Sequence, residues 1–261
     1  MITGAGAGLG RACAQLYADH GASVMVTDVD PVRADETVSL IRASGGQAEA
    51  ATVDVQVEDD VRRAIGTTID AFGKLDVLHN NAGVPVPGFG KTPFEELTAD
   101  AWHRVIDVNL TGVFFGCKHA VRPMRANGGG SIIITSSAAA LVGFRGHAVY
   151  GAAKGGAVAL ARGLAVDLGA DNIRVNVICP MYGMSANFAM PSDAAVVGRS
   201  YEEVAGDWDP SRRRIPLKVP RPPGLADTAY VALFLASDES AYMSGVAIPT
   251  ADGGSLSHVS L

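Results

Sequence analysis

The 261-residue sequence predicts one α/β domain built on a doubly wound parallel sheet. Short apolar runs end in small or acidic residues, and they alternate with longer segments of helical period. Runs such as Ile132-Ile133-Ile134 are apolar on both faces, as strands covered by helices on both sides must be. One core suffices at this length, so residues 1–261 are read as a single domain.

The first strand is reduced to Met1-Ile2-Thr3, because the glycine-rich stretch begins at Gly4. So short a lead into a central strand predicts a late start or a trimmed chain. Further strands are expected at residues 22–28, 48–54, 75–80, 131–136, 174–179 and 246–250, joined by right-handed crossovers. Residues 181–223 break this rhythm with prolines, mixed polarity and the cluster Arg212-Arg213-Arg214. A long excursion in a compact domain reads as a substrate lid, against an ordinary surface loop. Within it Phe188, Met190, Tyr201 and Trp208 could line an apolar pocket or simply pack.

Composition narrows the partners. The net charge is −6 with cations scattered among acids, so no basic stripe serves nucleic acid or an anionic membrane. No window is apolar for the ~20 residues of a membrane helix, and no secretory leader is evident, which gives a cytoplasmic expectation. Cys13, Cys117 and Cys179 are odd in number and far apart, and read as buried thiols rather than metal ligands. His79, His103 and His119 lie in strand or helix contexts and read as packed or surface residues, so no metal is expected.

Gly4-Ala5-Gly6-Ala7-Gly8-Leu9-Gly10 runs into a good helix former. Glycines at a strand-to-helix turn admit a pyrophosphate to the backbone, and the helix N-terminus supplies free amides and positive potential. The next apolar run ends at Asp28, where a carboxylate can accept hydrogen bonds from an adenosine ribose and repel a ribose phosphate. No Lys or Arg lies between Ala5 and Leu9, so NAD(H) is favoured over NADP(H). The plainer reading of Asp28 is a turn residue that ends a strand.

The TGxxxGxG spacing, followed by Asn80-Asn81-Ala82-Gly83, Asn109 in Val-Asn-Leu-Thr-Gly, Ser137, Tyr150-Gly-Ala-Ala-Lys154 and Asp252-Gly253-Gly254, resembles the short-chain dehydrogenase/reductase family along essentially the whole chain. That resemblance implies a Rossmann-type fold. It also implies that Asp54 and Val55 flank the adenine, and that Asn81, Ala82 and Gly83 brace the central sheet beside the cofactor. It assigns Ser137, rather than its neighbour Ser136, to the substrate oxygen, and Asn109 to a water that relays protons from Lys154. A mid-helix Asn could instead only kink its helix. In the family, Pro-Gly, a branched aliphatic and a threonine follow the sixth strand. Here Pro180 is followed by Met181, with Gly183 at the aliphatic position and Ser185 for the threonine, an unusual nicotinamide clamp whose lid is expected to order on cofactor binding.

Tyr150 and Lys154, four apart on a helix, share one face. A nearby ammonium is expected to lower the phenol from its usual pKa near 10 toward a working acid/base. The chemistry implied is reversible: Tyr150 handles the hydroxyl proton of a secondary alcohol or its ketone while NAD(H) carries the hydride. Two other readings stand beside it, an NADP(H)-dependent carbonyl or acyl-thioester reductase and a dinucleotide-binding regulator without chemistry. His147 and Arg145 read as a surface turn, although related enzymes place substrate-facing residues there. The small residues from Tyr150 to Ala159 suggest close backbone contact, and the resemblance implies a homotetramer built on such helices.

Overall fold

The computed structural model describes residues 1–86, 91–182 and 205–257. Among them, seven strands form one sheet in the order β3-β2-β1-β4-β5-β6-β7, every neighbouring pair parallel. The strands are β1 (Ile2–Thr3), β2 (Ser23–Asp28), β3 (Gln47–Thr52), β4 (Val77–Asn80), β5 (Gly130–Thr135), β6 (Ile173–Pro180) and β7 (Ala247–Thr250). The helices are α1 (Gly8–Asp19), α2 (Pro31–Ala43), α3 (Glu58–Phe72), α4 (Ala99–Ile106), α5 (Gly112–Ala126), α6 (Ala148–Asp167) and α7 (Leu225–Ala236). Each expected apolar run is a strand, displaced by no more than two residues at either end. The strand order reverses between β1 and β4, where a doubly wound sheet opens a crevice at the carboxyl ends of its strands.

Strand β1 is short but central. Ile2 pairs with Val26 on one side and His79 on the other, and the Met1 carbonyl accepts the His79 amide at 2.9 Å. The pleat divides the core into two layers, because successive side chains leave a strand on opposite faces. Ile132 and Ile134 join Val61, Cys117 and Ala157 on the α3, α5 and α6 side. Ile133 joins Leu9, Cys13, Ala34 and Ala232 on the α1, α2 and α7 side. All three isoleucines are fully buried, each stabilising by about 2 kcal/mol relative to exposure.

The close contacts expected of α6 are partly internal. A Cβ on Gly156 would strike Leu110, and one on Gly151 would lie 3.0 Å from the Ala139 carbonyl, whereas Gly155 and Gly163 face open space. Among the described residues no helix is long and apolar enough to cross a membrane. The three cysteines are buried and unpaired with one another. Of the lid, residues 181–182 and 205–223 are described. Trp208 Nε1 donates to the Val219 carbonyl at 3.1 Å, and the Arg213 guanidinium lies 4.7 Å from the indole. Phe188, Met190, Tyr201, Gly183 and Ser185 fall outside the described residues, and with them the clamp and the lid ordering.

Candidate active site

The glycine-rich turn follows β1 directly. Gly4 and Gly8 take left-handed φ values of 61° and 53°, conformations that cost a side chain dearly. At Gly10 a Cβ would collide with the Gly4 carbonyl. Helix α1 starts at Gly8 behind Ala7, with no capping side chain and no acid in its first turn. Its first amides therefore lack an intrahelical or side-chain acceptor and can take phosphate oxygens. Leu9 has only its backbone at the turn, since its side chain is in the core.

Asp28 closes β2 against this turn. Its Oδ2 accepts the Gly6 amide at 2.9 Å and its Oδ1 the Asp30 amide at 3.1 Å. Both bonds are those of a residue that shapes the turn at the end of its strand. The absence of cations within Ala5 to Leu9 is only half the account, because folding brings two from elsewhere. Arg11 Nη2 donates to the Gly6 carbonyl and pairs with Glu36 at 2.8 Å. The Arg33 Cβ packs where a Gly6 side chain would go, and its guanidinium pairs with Asp30 at 3.2 Å.

Asn81 follows β4. Its Nδ2 donates to the Thr3 and Gly4 carbonyls, both at 3.1 Å, and the Asn81 and Ala82 amides share Thr3 Oγ1 at 3.0 and 3.1 Å. Asp54 Oδ1 accepts the Gln56 amide at 2.9 Å, and Val55 is buried against Gly112. Pro180 ends β6 opposite Thr250.

Among the described residues Lys154 is the largest fully buried side chain, 1% exposed. Its Nζ donates to the Thr135 carbonyl at 2.8 Å and lies 5.7 Å from the Tyr150 ring centroid. A Cβ on Gly83 would sit 2.8 Å from Asn109 Oδ1 and 3.3 Å from Lys154 Nζ, so this glycine keeps open the gap between the two. Asn109 lies in a π-helical turn, Asp107–Thr111, between α4 and α5. Its Nδ2 donates to the carbonyls of Val105, four residues back, and Val84, both at 2.9 Å. The side chain replaces a helical bond that the wider turn gives up.

The two serines after β5 divide the work. Ser136 Oγ donates its only proton to the Lys154 carbonyl at 2.9 Å. Ser137 Oγ accepts the Ala139 amide at 3.2 Å, and its hydroxyl hydrogen-bonds the Tyr150 phenol.

The electrostatics differ from the expectation in one respect. Enclosure by protein pushes the Tyr150 phenol up to about 12, offset in part by the Ser137 hydroxyl, and Lys154 does not pull it down. The same burial pushes Lys154 down to about 8. Both groups lose water, and that loss is the largest cause of each shift. Spacing along a helix predicted the shared face; it could not register the dielectric.

His147 is also more than a surface turn. The tight turn in which its amide bonds the Phe144 carbonyl folds the chain back, so the half-buried imidazole meets Tyr150 edge-on at 6.4 Å and Phe144 at 6.4 Å. Arg145 stays exposed. The sequence carried that signal in the three-residue spacing of His147 and Tyr150 at a helix start.

Comparison with known proteins identifies the family. A family model described as Enoyl-(Acyl carrier protein) reductase matches residues 4–255. A cis-4-hydroxycyclohexanecarboxylate dehydrogenase of Sinomonas cyclohexanicum is 36% identical over 97% of this chain and 94% of its own. A (+)-borneol dehydrogenase of Salvia officinalis is 36% identical over 97% of this chain and 87% of its own. The crystal structure of carveol dehydrogenase from Mycobacterium avium in complex with NAD superposes with a TM-score of 0.81, 30% identical, over 95% of this chain and 94% of the other. The chain is an oxidoreductase that belongs to the short-chain dehydrogenase/reductase family.

Proposed function

We propose that this chain interconverts a cyclic secondary alcohol and its ketone using NAD(H), with Tyr150 as the proton-transferring acid/base. The observation that carries the reading is the convergence of Ser137, Tyr150 and buried Lys154 at the carboxyl ends of β5 and β6, across the crevice from the glycine-rich turn. A dinucleotide fits the residues present. The uncapped N-terminus of α1 suits the pyrophosphate, Asp28 the adenosine ribose, and the gap kept by Gly83 the ribose near Lys154. Pro180, Gly183 and Ser185 would complete the nicotinamide end. When bound, the nicotinamide supplies or accepts the hydride.

The protein's own part is proton and charge. Ser137, which hydrogen-bonds Tyr150 here, donates its O–H to the substrate oxygen when that oxygen enters between them, and Tyr150 shares a second proton with it, two donors aimed where negative charge develops. The phenol near neutral pH holds its proton, so it starts as the acid for a ketone and becomes the base in the reverse direction. Lys154 supports it from the Thr135 carbonyl, and Asn109 holds the segment that closes the gap behind Lys154. The carbocyclic alcohols named by the two curated relatives and the carveol enzyme support the substrate class. Arg33 beside the turn favours a second reading, NADP(H) as cofactor. We also infer cytoplasmic residence and a homotetramer, the latter supported by the open faces of Gly155 and Gly163 on α6.

The test removes one oxygen. Tyr150→Phe should lower turnover of cyclohexanol-type alcohols by about 10³-fold, the scale of a lost general acid, while NADH binding by fluorescence stays near that of the unaltered chain. Retained turnover overturns the mechanism.

A further inference from the structure

The buried His79 belongs to no part of the site described above, yet its two nitrogens are both engaged. Its ring, 0% exposed on β4, meets the Tyr17 hydroxyl at Nδ1, 3.3 Å away, and Thr135 Oγ1 at Nε2, 2.9 Å away. Thr135 Oγ1 in turn lies 3.2 Å from Asn81 Oδ1. The direction of every bond in this series is determined by its far end. Asn81 Nδ2 faces the Thr3 and Gly4 carbonyls, which only accept, so it donates and leaves Oδ1 toward Thr135. An amide oxygen only accepts, so the single Thr135 proton goes to it. Thr135 Oγ1 must then accept from His79, whose Nε2 carries a proton. A neutral ring has a bare Nδ1, which accepts from Tyr17.

We propose that His79 is a positioning residue, held as the neutral Nε2–H tautomer, that orients the Asn81 amide and through it the dinucleotide-binding turn. Tyr17 lies on α1, the helix that the turn itself begins, so the series closes a ring: α1, Tyr17, His79, Thr135, Asn81, Gly4 and back to α1. Aligned hydrogen bonds polarise one another in a low-dielectric interior. Thr135 is also the residue whose carbonyl seats Lys154 Nζ, so the same node joins the two halves of the crevice. Burial keeps the imidazole neutral, lowering it to about 3. The positioning role rests on the dinucleotide reading above; the tautomer does not.

Two measurements test this. In the cofactor-free, ¹⁵N-histidine-labelled chain, long-range imidazole NMR correlations should give His79 a protonated Nε2 and a bare Nδ1 at neutral pH. An Nδ1–H tautomer or an imidazolium overturns the proposal. Thr135→Val keeps the volume but strands His79 Nε2 and Asn81 Oδ1, and should raise the NADH dissociation constant by about tenfold, the order expected for stranded buried partners. It should depress kcat at saturating NADH much less. Thr135→Ser, which keeps the hydroxyl, should restore binding. Binding by Thr135→Val as tight as by the unaltered chain refutes the positioning role. Should Thr135→Val fail to fold, Tyr17→Phe, which removes only the hydroxyl at His79 Nδ1, takes its place, and NADH binding as tight as that of the unaltered chain refutes the positioning role. An unaltered chain that shows the Nε2–H tautomer but binds neither NADH nor NADPH overturns the dinucleotide reading and the positioning role with it.

Discussion

Replacing Lys154 by methionine, which is of similar length and carries no charge, isolates the cost of burying an ammonium in this core. The lysine is 1% exposed and lowered from 10.5 to about 8. The sign follows from proton counting. Below about pH 8 the folded and unfolded chains both hold the proton and the full penalty of the buried charge is felt. Between about pH 8 and pH 10.5 the folded chain has released the proton while the unfolded chain keeps it, so stability rises with pH. At about 1.4 kcal/mol per pKa unit, the gain from pH 7 to pH 9.5 is about 2 kcal/mol. Lys154→Met lacks this slope. Urea unfolding of both chains at pH 7, 8.5 and 9.5 should therefore show the native lysine gaining about 2 kcal/mol on the methionine variant, groups common to both cancelling in the difference. The methionine leaves the Thr135 carbonyl without its donor, a constant offset that moves the difference but not its slope. A stability difference independent of pH would refute the buried-ammonium account.

Two further outcomes are expected. Asp28→Ala strips the Gly6 amide of its acceptor and removes the charge beside Arg33; fluorescence titration should find NADH about tenfold weaker and NADPH tighter, and an unaltered chain that already prefers NADPH contradicts the role given to Asp28. Light scattering at micromolar concentration should report four chains per particle, and a monomer would sink the oligomeric reading of α6.

The sequence alone determined the sheet. Its apolar runs land on β2 to β7 because a strand buried on both faces must be apolar throughout, a local property of the chain. It also determined the shared face of Tyr150 and Lys154, which the helical period dictates, and the glycines at the turn, which steric necessity dictates. Between Ser136 and Ser137 only the resemblance could choose. The tertiary structure shows where each hydroxyl goes, Ser136 to the Lys154 carbonyl and Ser137 to the Tyr150 phenol. What no spacing could report was the environment. Arg33 lies five residues after Asp28 yet packs against Gly6, because α2 doubles back over the turn. His79 was read as one packed residue among others, and its bonds to Tyr17 and Thr135 join positions 62 and 56 residues away. The pKa values of Tyr150 and Lys154 moved oppositely to simple pairing because both are removed from water by elements from across the chain. Desolvation and long-range hydrogen bonding depend on what the whole fold places around a group, and only the fold decides them.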